Sequence, residues 1–176
     1  MRQGVYFDDV TVGAEIPVVS KGPLSTAHVV RWSAAMENWA PIHYDWRYAT
    51  HHDGLPDVLV NGSWKQHVMI QALTDWAGDT GWLWKLKFQY RGMTVPGDTV
   101  VAWGRVTAIS TRGNWGVVDL DIGLRDQKGA ETSPGTACVV LPLRGGPNVP
   151  YPFDSIMFQM GSLRLSNSPN SPYKGN

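Results

Sequence analysis

The stretch NGSWKQHVMIQALTDWAG, residues 61–78, divides the chain into two parts with different hydrophobic periods. Its apolar side chains recur at helical spacing over several turns: Trp64, Val68, Ala72, Leu73 and Trp76. Gly78 supplies a stop signal at its end. Because small and apolar residues also occupy much of the opposite face, the pattern predicts a long helix that is buried on most sides.

After this helix the period becomes alternating. The segment WLWKLKFQYR, residues 82–91, alternates apolar and polar side chains, which predicts a half-buried strand. Its apolar set consists of Trp84, Leu86, Phe88 and Tyr90. Three further strands are expected in the segments 99–110, 115–124 and 135–143. Tight turns separate them, so we expect an antiparallel meander and an α+β domain in which the long helix lies across the sheet.

A shorter helix is predicted before it, in PLSTAHVVRWSAAM, residues 23–36. Ser25 or Thr26 can cap its first turn with a hydroxyl group. One face then carries Val29, Trp32 and Met36. Pro41 is expected to end this helix, because proline lacks an N–H donor and disfavours helical geometry in the residue before it.

The balance of charged residues indicates which kinds of binding partner are not expected. Lys and Arg together number 15, as do Asp and Glu, so the formal net charge is zero. Nucleic-acid and membrane-surface binding need a surplus of cations, so neither partner is expected. There is no apolar run near the roughly 20 residues that span a bilayer, and no signal-peptide pattern. Cys138 is the only cysteine, which excludes an internal disulfide and favours a cytoplasmic location.

The stretch MENWAPIHYDWRYAT, residues 36–50, carries the strongest candidate for chemistry. His43 stands two residues after Pro41, and Asn38 lies five residues upstream of it. An imidazole can both take and give a proton near neutral pH, although a histidine in this place can also cap a turn or fill a pocket. Asp45 is expected to be an N-cap for the turn that follows.

Three patterns in this order resemble the MaoC-like (R)-specific hydratase/dehydratase family of the hotdog fold. They are SAAMENWAPIHYD (33–45), VNGS (60–63) and VPGDTVVAWGRV (95–106). In addition, YFDDVTVGAEIP (6–17) resembles the N-terminal strand of that family. The resemblance implies a single hotdog domain over residues 1–143, with an antiparallel sheet wrapped around a long central helix. Residues 144–176, rich in Pro, Gly and Ser, are expected to form a partly disordered extension.

The resemblance includes a departure at the active-site motif. The family pattern is Asp-x-Asn-Pro-x-His, and in this chain His43 matches the histidine, whereas Asn38 stands in place of the aspartate and Ala40 in place of the asparagine. The segment is closer to the branch that includes mesaconyl-CoA hydratases and related acyl-thioester dehydratases. That branch commonly has asparagine at the position of Asn38.

The resemblance implies a lyase that reversibly hydrates a 2-enoyl-CoA or dehydrates a 3-hydroxyacyl-CoA. His43 would be the general acid and base, and Asn38 would orient the water or hydroxyl group. Backbone N–H groups near Gly62 and Ser63 would hold the enolate oxygen. For the acyl group the expected binding residues are Trp39 and Trp64. No cofactor is implied beyond the coenzyme A of the substrate, and no metal is expected.

Several alternatives remain open at this stage. The chain could be a non-catalytic acyl-binding subunit of a heteromeric MaoC-like hydratase, or, less consistently with its sequence, a hotdog thioesterase. A homodimer or a heteromer with another hotdog chain is expected, because pairing covers a sheet edge. Solvated surface roles are expected for Lys65, Arg91 and Arg112. His67 is expected to be a core histidine. The acyl group and the direction of the reaction are not encoded in any recognisable motif.

Overall fold

The computed structural model describes residues 4–150, which form a curled five-stranded antiparallel sheet and two α-helices. The helices are α1 (Thr26–Ala35) and α2 (Gly62–Ala77). The strands are β1 (Val19–Lys21), β2 (Trp82–Phe88), β3 (Val100–Arg112), β4 (Trp115–Arg125) and β5 (Glu131–Pro142), in the order β1-β3-β4-β5-β2. The predicted α+β class, with a sheet around a long central helix, is confirmed.

The core lies between α2 and the inner face of the sheet. Met69 and Leu73 of α2 are fully buried against strand residues such as Leu120 and Leu124. Their burial follows from the two periods of the sequence, since both a helical stripe and an alternating strand face point inward. Fully burying one such side chain contributes about 1.5–3 kcal/mol. Gly78 adopts a φ of 67° at the end of α2, which confirms the predicted stop.

The start of α1 is held by a reciprocal cap. The side chain of Ser25 accepts a hydrogen bond from the backbone N–H of His28, at 3.4 Å. In return the backbone N–H of Ser25 donates to Nδ1 of His28, at 2.9 Å. This arrangement satisfies two unpaired donors at once and confirms Ser25 as the cap.

The end of α1 differs from the prediction. The helix ends at Ala35, well before Pro41, and Glu37 takes a left-handed φ of 50°. The N–H of Glu37 donates to the carbonyl of Ala34, and the N–H of Asn38 donates to the carbonyl of Ser33. This pair of bonds is a Schellman motif, which closes a helix through its own last carbonyls without a proline.

The strand β2 also differs from the simple alternating pattern. It pairs with β5 and not with β3, so only β3, β4 and β5 form the predicted meander. The register between Leu83 and Lys85 shifts by one residue, which is a β-bulge at Trp84. As a result Trp84 packs on the outer face of the sheet with Trp115, whereas Leu86 and Phe88 face α2. The prediction that Trp84 shares a face with these two residues was wrong.

The N-terminal segment is less regular than predicted. A short 3₁₀ turn, Phe7–Asp9, precedes an isolated bridge between Glu15 and Arg105, and regular pairing begins only in β1. Near the other end, the Arg144 guanidinium donates to Asp9 at 2.7 Å. The predicted disorder falls mainly on residues 151–176, outside the described residues. The boundary at residue 143 stays a prediction.

Two features are absent from the described residues. No helix within residues 4–150 is both long and apolar enough to cross a membrane. The same residues contain no group of three or more His, Cys, Asp or Glu side chains arranged to hold a metal ion.

Candidate active site

His43 lies in a short 3₁₀ turn, Pro41–His43, between the two α-helices. The residue is only 7% exposed. Its ring atom Nδ1 is 2.7 Å from the carbonyl oxygen of Leu59. Because a carbonyl oxygen can only accept, Nδ1 must carry a proton in this contact. The neutral ring therefore leaves Nε2 without a proton, and Nε2 is the atom that can act as a base.

Asn38 is joined to the histidine through the backbone of Ala40. The side-chain oxygen of Asn38 accepts from the N–H of Ala40, at 3.2 Å, and the carbonyl of Ala40 accepts from the N–H of His43, at 3.1 Å. Two predicted site residues thus belong to one hydrogen-bonded segment. Within residues 4–150 the amide nitrogen of Asn38 has no partner, so its two N–H groups can donate to a ligand.

The start of α2 offers unpaired backbone donors. Asn61 is the N-cap residue, but its side chain does not cap the helix, and its oxygen instead accepts from the hydroxyl of Ser33 at 3.0 Å. The backbone N–H groups of Gly62 and Ser63 have no hydrogen-bond partner among the described residues. Such donors, at the positive end of a helix dipole, favour a negatively charged oxygen.

A cavity of about 520 Å³ lies beside the start of α2, and its lining does not include His43 or Asn38. Leu59 and Gly62 both line this cavity, and Leu59 is also the residue whose carbonyl binds the histidine ring. Tyr90 covers Gly62 from the strand side. A Cβ atom added to Gly62 would lie 2.7 Å from Cζ of Tyr90, so only glycine fits beneath the ring in this arrangement.

The other predicted binding residues lie elsewhere. The hydroxyl of Ser63 accepts from the indole N–H of Trp32, at 2.9 Å, and makes no cap to α2. Trp64 packs on the core and lines a separate small cavity of about 10 Å³ with Trp32. Trp39 is 65% exposed. The structure therefore does not bring Trp39 and Trp64 together, and their roles in acyl binding stay predictions.

Two expectations about charged or titratable residues of α2 were wrong. Lys65, expected on the surface, is only 3% exposed. His67, expected in the core, is exposed, with its ring centroid 5.2 Å from that of Trp32. The sequence predicted that α2 is buried on most sides. Applied to position 65, this prediction would have placed Lys65 in the interior. Arg91 and Arg112 are exposed, as expected.

The remaining candidate behaves as the sequence indicated. The carboxylate of Asp45 accepts from the backbone N–H of Tyr48, at 3.0 Å, which confirms its role as a cap for the following turn. It is therefore engaged in local structure and is not the missing acid of the motif.

A family model for hydroxyacyl-thioester dehydratase type 2 matches residues 14–97, a little under half of the chain. The matched stretch contains Asn38, His43 and Gly62. No curated protein gives a significant sequence match.

Solved structures with the same architecture include the (R)-hydratase from A. caviae involved in PHA biosynthesis. The two chains are 23% identical, with a TM-score of 0.67, and the match covers 76% of this chain and 98% of that one. A MaoC-like dehydratase from Rhodospirillum rubrum is 19% identical, with a TM-score of 0.69, covering 80% and 99%. A chain of the ChsH1-ChsH2 complex from Mycobacterium tuberculosis is 21% identical, with a TM-score of 0.65, covering 74% and 98%. These likenesses show that the chain has the hotdog fold.

Proposed function

We propose that the protein catalyses the reversible hydration of a 2-enoyl thioester, which in reverse is the dehydration of a 3-hydroxyacyl thioester. The observation that carries this proposal is the arrangement of His43, a buried histidine whose Nδ1 is held by the carbonyl of Leu59. That contact leaves Nε2 free to accept a proton. The match of residues 14–97 to a hydroxyacyl-thioester dehydratase model supports the same reaction class.

In the hydration direction, Nε2 of His43 takes a proton from water while the water oxygen bonds to C3 of the enoyl group. The electron pair of the C2–C3 double bond moves toward the thioester carbonyl, whose oxygen becomes an enolate. The enolate collapses as C2 takes the proton back from the imidazolium. One histidine can perform both transfers because the imidazole acts in both directions near neutral pH.

The unpaired N–H groups of Gly62 and Ser63 are the proposed donors to the enolate oxygen. They are fixed by the first turn of α2, so they need no reorganisation as the charge develops. Loss of one such donor typically raises the barrier by about 3–4 kcal/mol. The absence of a side-chain cap on these groups is what leaves them available.

Asn38 is proposed to bind the oxygen of the attacking water or of the leaving hydroxyl group. Its own oxygen is already engaged by Ala40, so the amide can contribute only its N–H groups. It orients that oxygen without taking a proton, which is consistent with a mechanism in which His43 performs both transfers.

The test is to purify the chain and follow loss of the conjugated enoyl-thioester absorbance across a panel of 2-enoyl-CoA substrates. The reverse reaction is measured with the matching 3-hydroxyacyl-CoA of each hand. We expect turnover of at least one pair in both directions. A folded protein that converts none of them in either direction would exclude independent hydratase activity.

A second candidate is a non-catalytic acyl-binding subunit of a heteromeric hydratase. The observations that favour it are Asn38 in place of an acid and the edge position of β2, whose outer side pairs with no described strand. One solved neighbour comes from a two-protein complex. This second function predicts that the purified protein is inactive alone and that activity appears when a second hotdog chain with the full motif is added.

A further inference from the structure

Lys65 is a cation enclosed in the protein with only a neutral partner. The residue is 3% exposed, and its ammonium group donates to the carbonyl oxygen of Gly92, at 2.6 Å. No ion pair to Lys65 is formed within residues 4–150. Burial lowers the pKa of Lys65 to about 8, and the nearby charge of Asp98 offsets only part of that effect. A lysine in this state has two N–H donors left and gains most from an anionic partner.

The cavity next to this lysine is suited to such a partner. Lys65 and Arg91 both line the 520 Å³ cavity, and no acidic residue of the described chain does so. Asp98, whose negative charge acts on Lys65, makes its hydrogen bonds elsewhere. Its two oxygens accept from the backbone N–H of Val95 and from the amide of Gln127. The cavity is therefore positively charged, since the two cations that line it, one buried and one exposed, have no acidic residue beside them in the lining.

The position of Lys65 on α2 indicates which part of a ligand it meets. Residues three apart on a helix have Cβ atoms about 5–6 Å apart on the same face, so Lys65 and Gly62 are neighbours in the cavity wall. If the thioester oxygen binds at Gly62, as in the proposed function on which this inference rests, the ammonium lies close to the acyl carbons. The phosphates of coenzyme A are separated from the thioester by the whole pantetheine arm, which is much longer than one helical turn.

We propose that Lys65 binds a carboxylate carried by the acyl group, so that the preferred substrates are thioesters of dicarboxylic acids. Arg91 contributes a second positive charge to the same cavity. The carboxylate would accept from the two free N–H groups of the ammonium while the third stays on Gly92.

Binding of saturated ligands tests this without any need for turnover. Pentanoyl-CoA and glutaryl-CoA have the same chain length, and only the second has a terminal carboxylate. Calorimetry with the full chain should give tighter binding of glutaryl-CoA by a factor on the order of 10 to 100, as expected for a charge-assisted hydrogen bond. Lys65→Met should remove this preference, and Lys65→Arg should retain part of it. Lys128→Met, at an exposed lysine in the turn after β4, is the matched control.

Three results would overturn the proposal. One is equal affinity of the wild-type protein for the two ligands, and another is a preference that persists in Lys65→Met. The third is an equal loss for both ligands and for free coenzyme A, which would assign Lys65 to the phosphates. Lys65→Gln, which keeps a donor for Gly92, provides a second variant if the methionine protein does not fold. A carboxylate preference in a protein without hydratase activity would contradict the proposed reaction and leave this binding site standing.

Discussion

The segment that carries His43 and the first turn of α2 are both linked to residues of one cavity, through Leu59 and through Gly62 and Lys65, and they are built in opposite ways. His43 is fixed by hydrogen bonds to backbone groups, with its ring on the carbonyl of Leu59 and its N–H on that of Ala40. The first turn of α2 instead encloses a cation, Lys65, whose contact is with a neutral carbonyl. One side is arranged to hold a neutral base in a fixed tautomer. The other tolerates an electrostatic penalty, which is typical of a site that awaits a ligand.

The largest effect on stability is expected at Lys65, because a single substitution there removes the buried cation from the first turn of α2. Lys65→Met keeps the volume of the stem and eliminates the buried charge. A pKa of about 8 corresponds to a net cost of about 3 kcal/mol for keeping Lys65 charged at pH 7, and the lost bond to Gly92 offsets about 1–2 kcal/mol of it. We therefore expect the free energy of unfolding, measured in urea, to rise by about 1–2 kcal/mol.

The pH dependence of this difference follows from the direction of the shift. The folded pKa of Lys65, about 8, is below the ordinary lysine value of 10.5, so between these values the unfolded state binds more protons. The wild-type protein should then gain stability as pH rises from about 8 to 10.5, and the advantage of Lys65→Met should shrink. The difference in the free energy of unfolding between Lys65→Met and wild type should therefore depend on pH. If it is constant with pH, or if Lys128→Met shows the same difference, Lys65 is not a buried charge.

A smaller effect on stability is expected from Gly62→Ala, because Tyr90 covers this glycine. Gly62→Ala places a methyl group within 2.7 Å of the Tyr90 ring, so the ring must move. Tyr90 is 53% exposed and can swing outward, which limits the expected loss of stability to about 1 kcal/mol. The loss should disappear when Gly62→Ala is introduced into a Tyr90→Ala protein. Equal losses in both backgrounds would mean that the glycine is needed for another reason.

The smallest effect on stability is expected from Asn38→Asp. Asn38→Asp keeps the side-chain oxygen that accepts from Ala40, so the free energy of unfolding should change by less than about 0.5 kcal/mol. Asn38→Ala loses this bond and should cost about 1 kcal/mol. Turnover should fall in the alanine variant and be retained in the aspartate variant, which restores the family motif. Aspartate that abolishes turnover would show that the amide N–H groups are required.

The sequence predicted those parts of the molecule that depend on local spacing. The stop at Gly78, the cap at Ser25 and the strands of the meander follow from short patterns, and each is present. His43 and Asn38 were found because their spacing resembles a family motif, and the structure places them in one hydrogen-bonded segment.

The sequence did not predict features that depend on distant partners. Lys65 is buried because residue 92, 27 positions away, folds over it and accepts its hydrogen bond. Trp84 leaves its expected face because a bulge against β5 shifts the register, and nothing within β2 itself signals that bulge. Similarly, α1 ends early because Glu37 adopts a left-handed conformation that its residue type does not favour.

The most direct test of the central claim compares wild-type, His43→Ala and His51→Ala proteins on the best 2-enoyl-CoA substrate from the panel. His51 is an exposed histidine in the same part of the chain and serves as the control. We expect the rate to fall by a factor of about 10²–10⁴ in His43→Ala only, since this is the usual contribution of a general acid or base. Added imidazole should restore part of it. A His43→Ala protein that is folded and as active as wild type would contradict the account, because the proposed mechanism routes both proton transfers through His43.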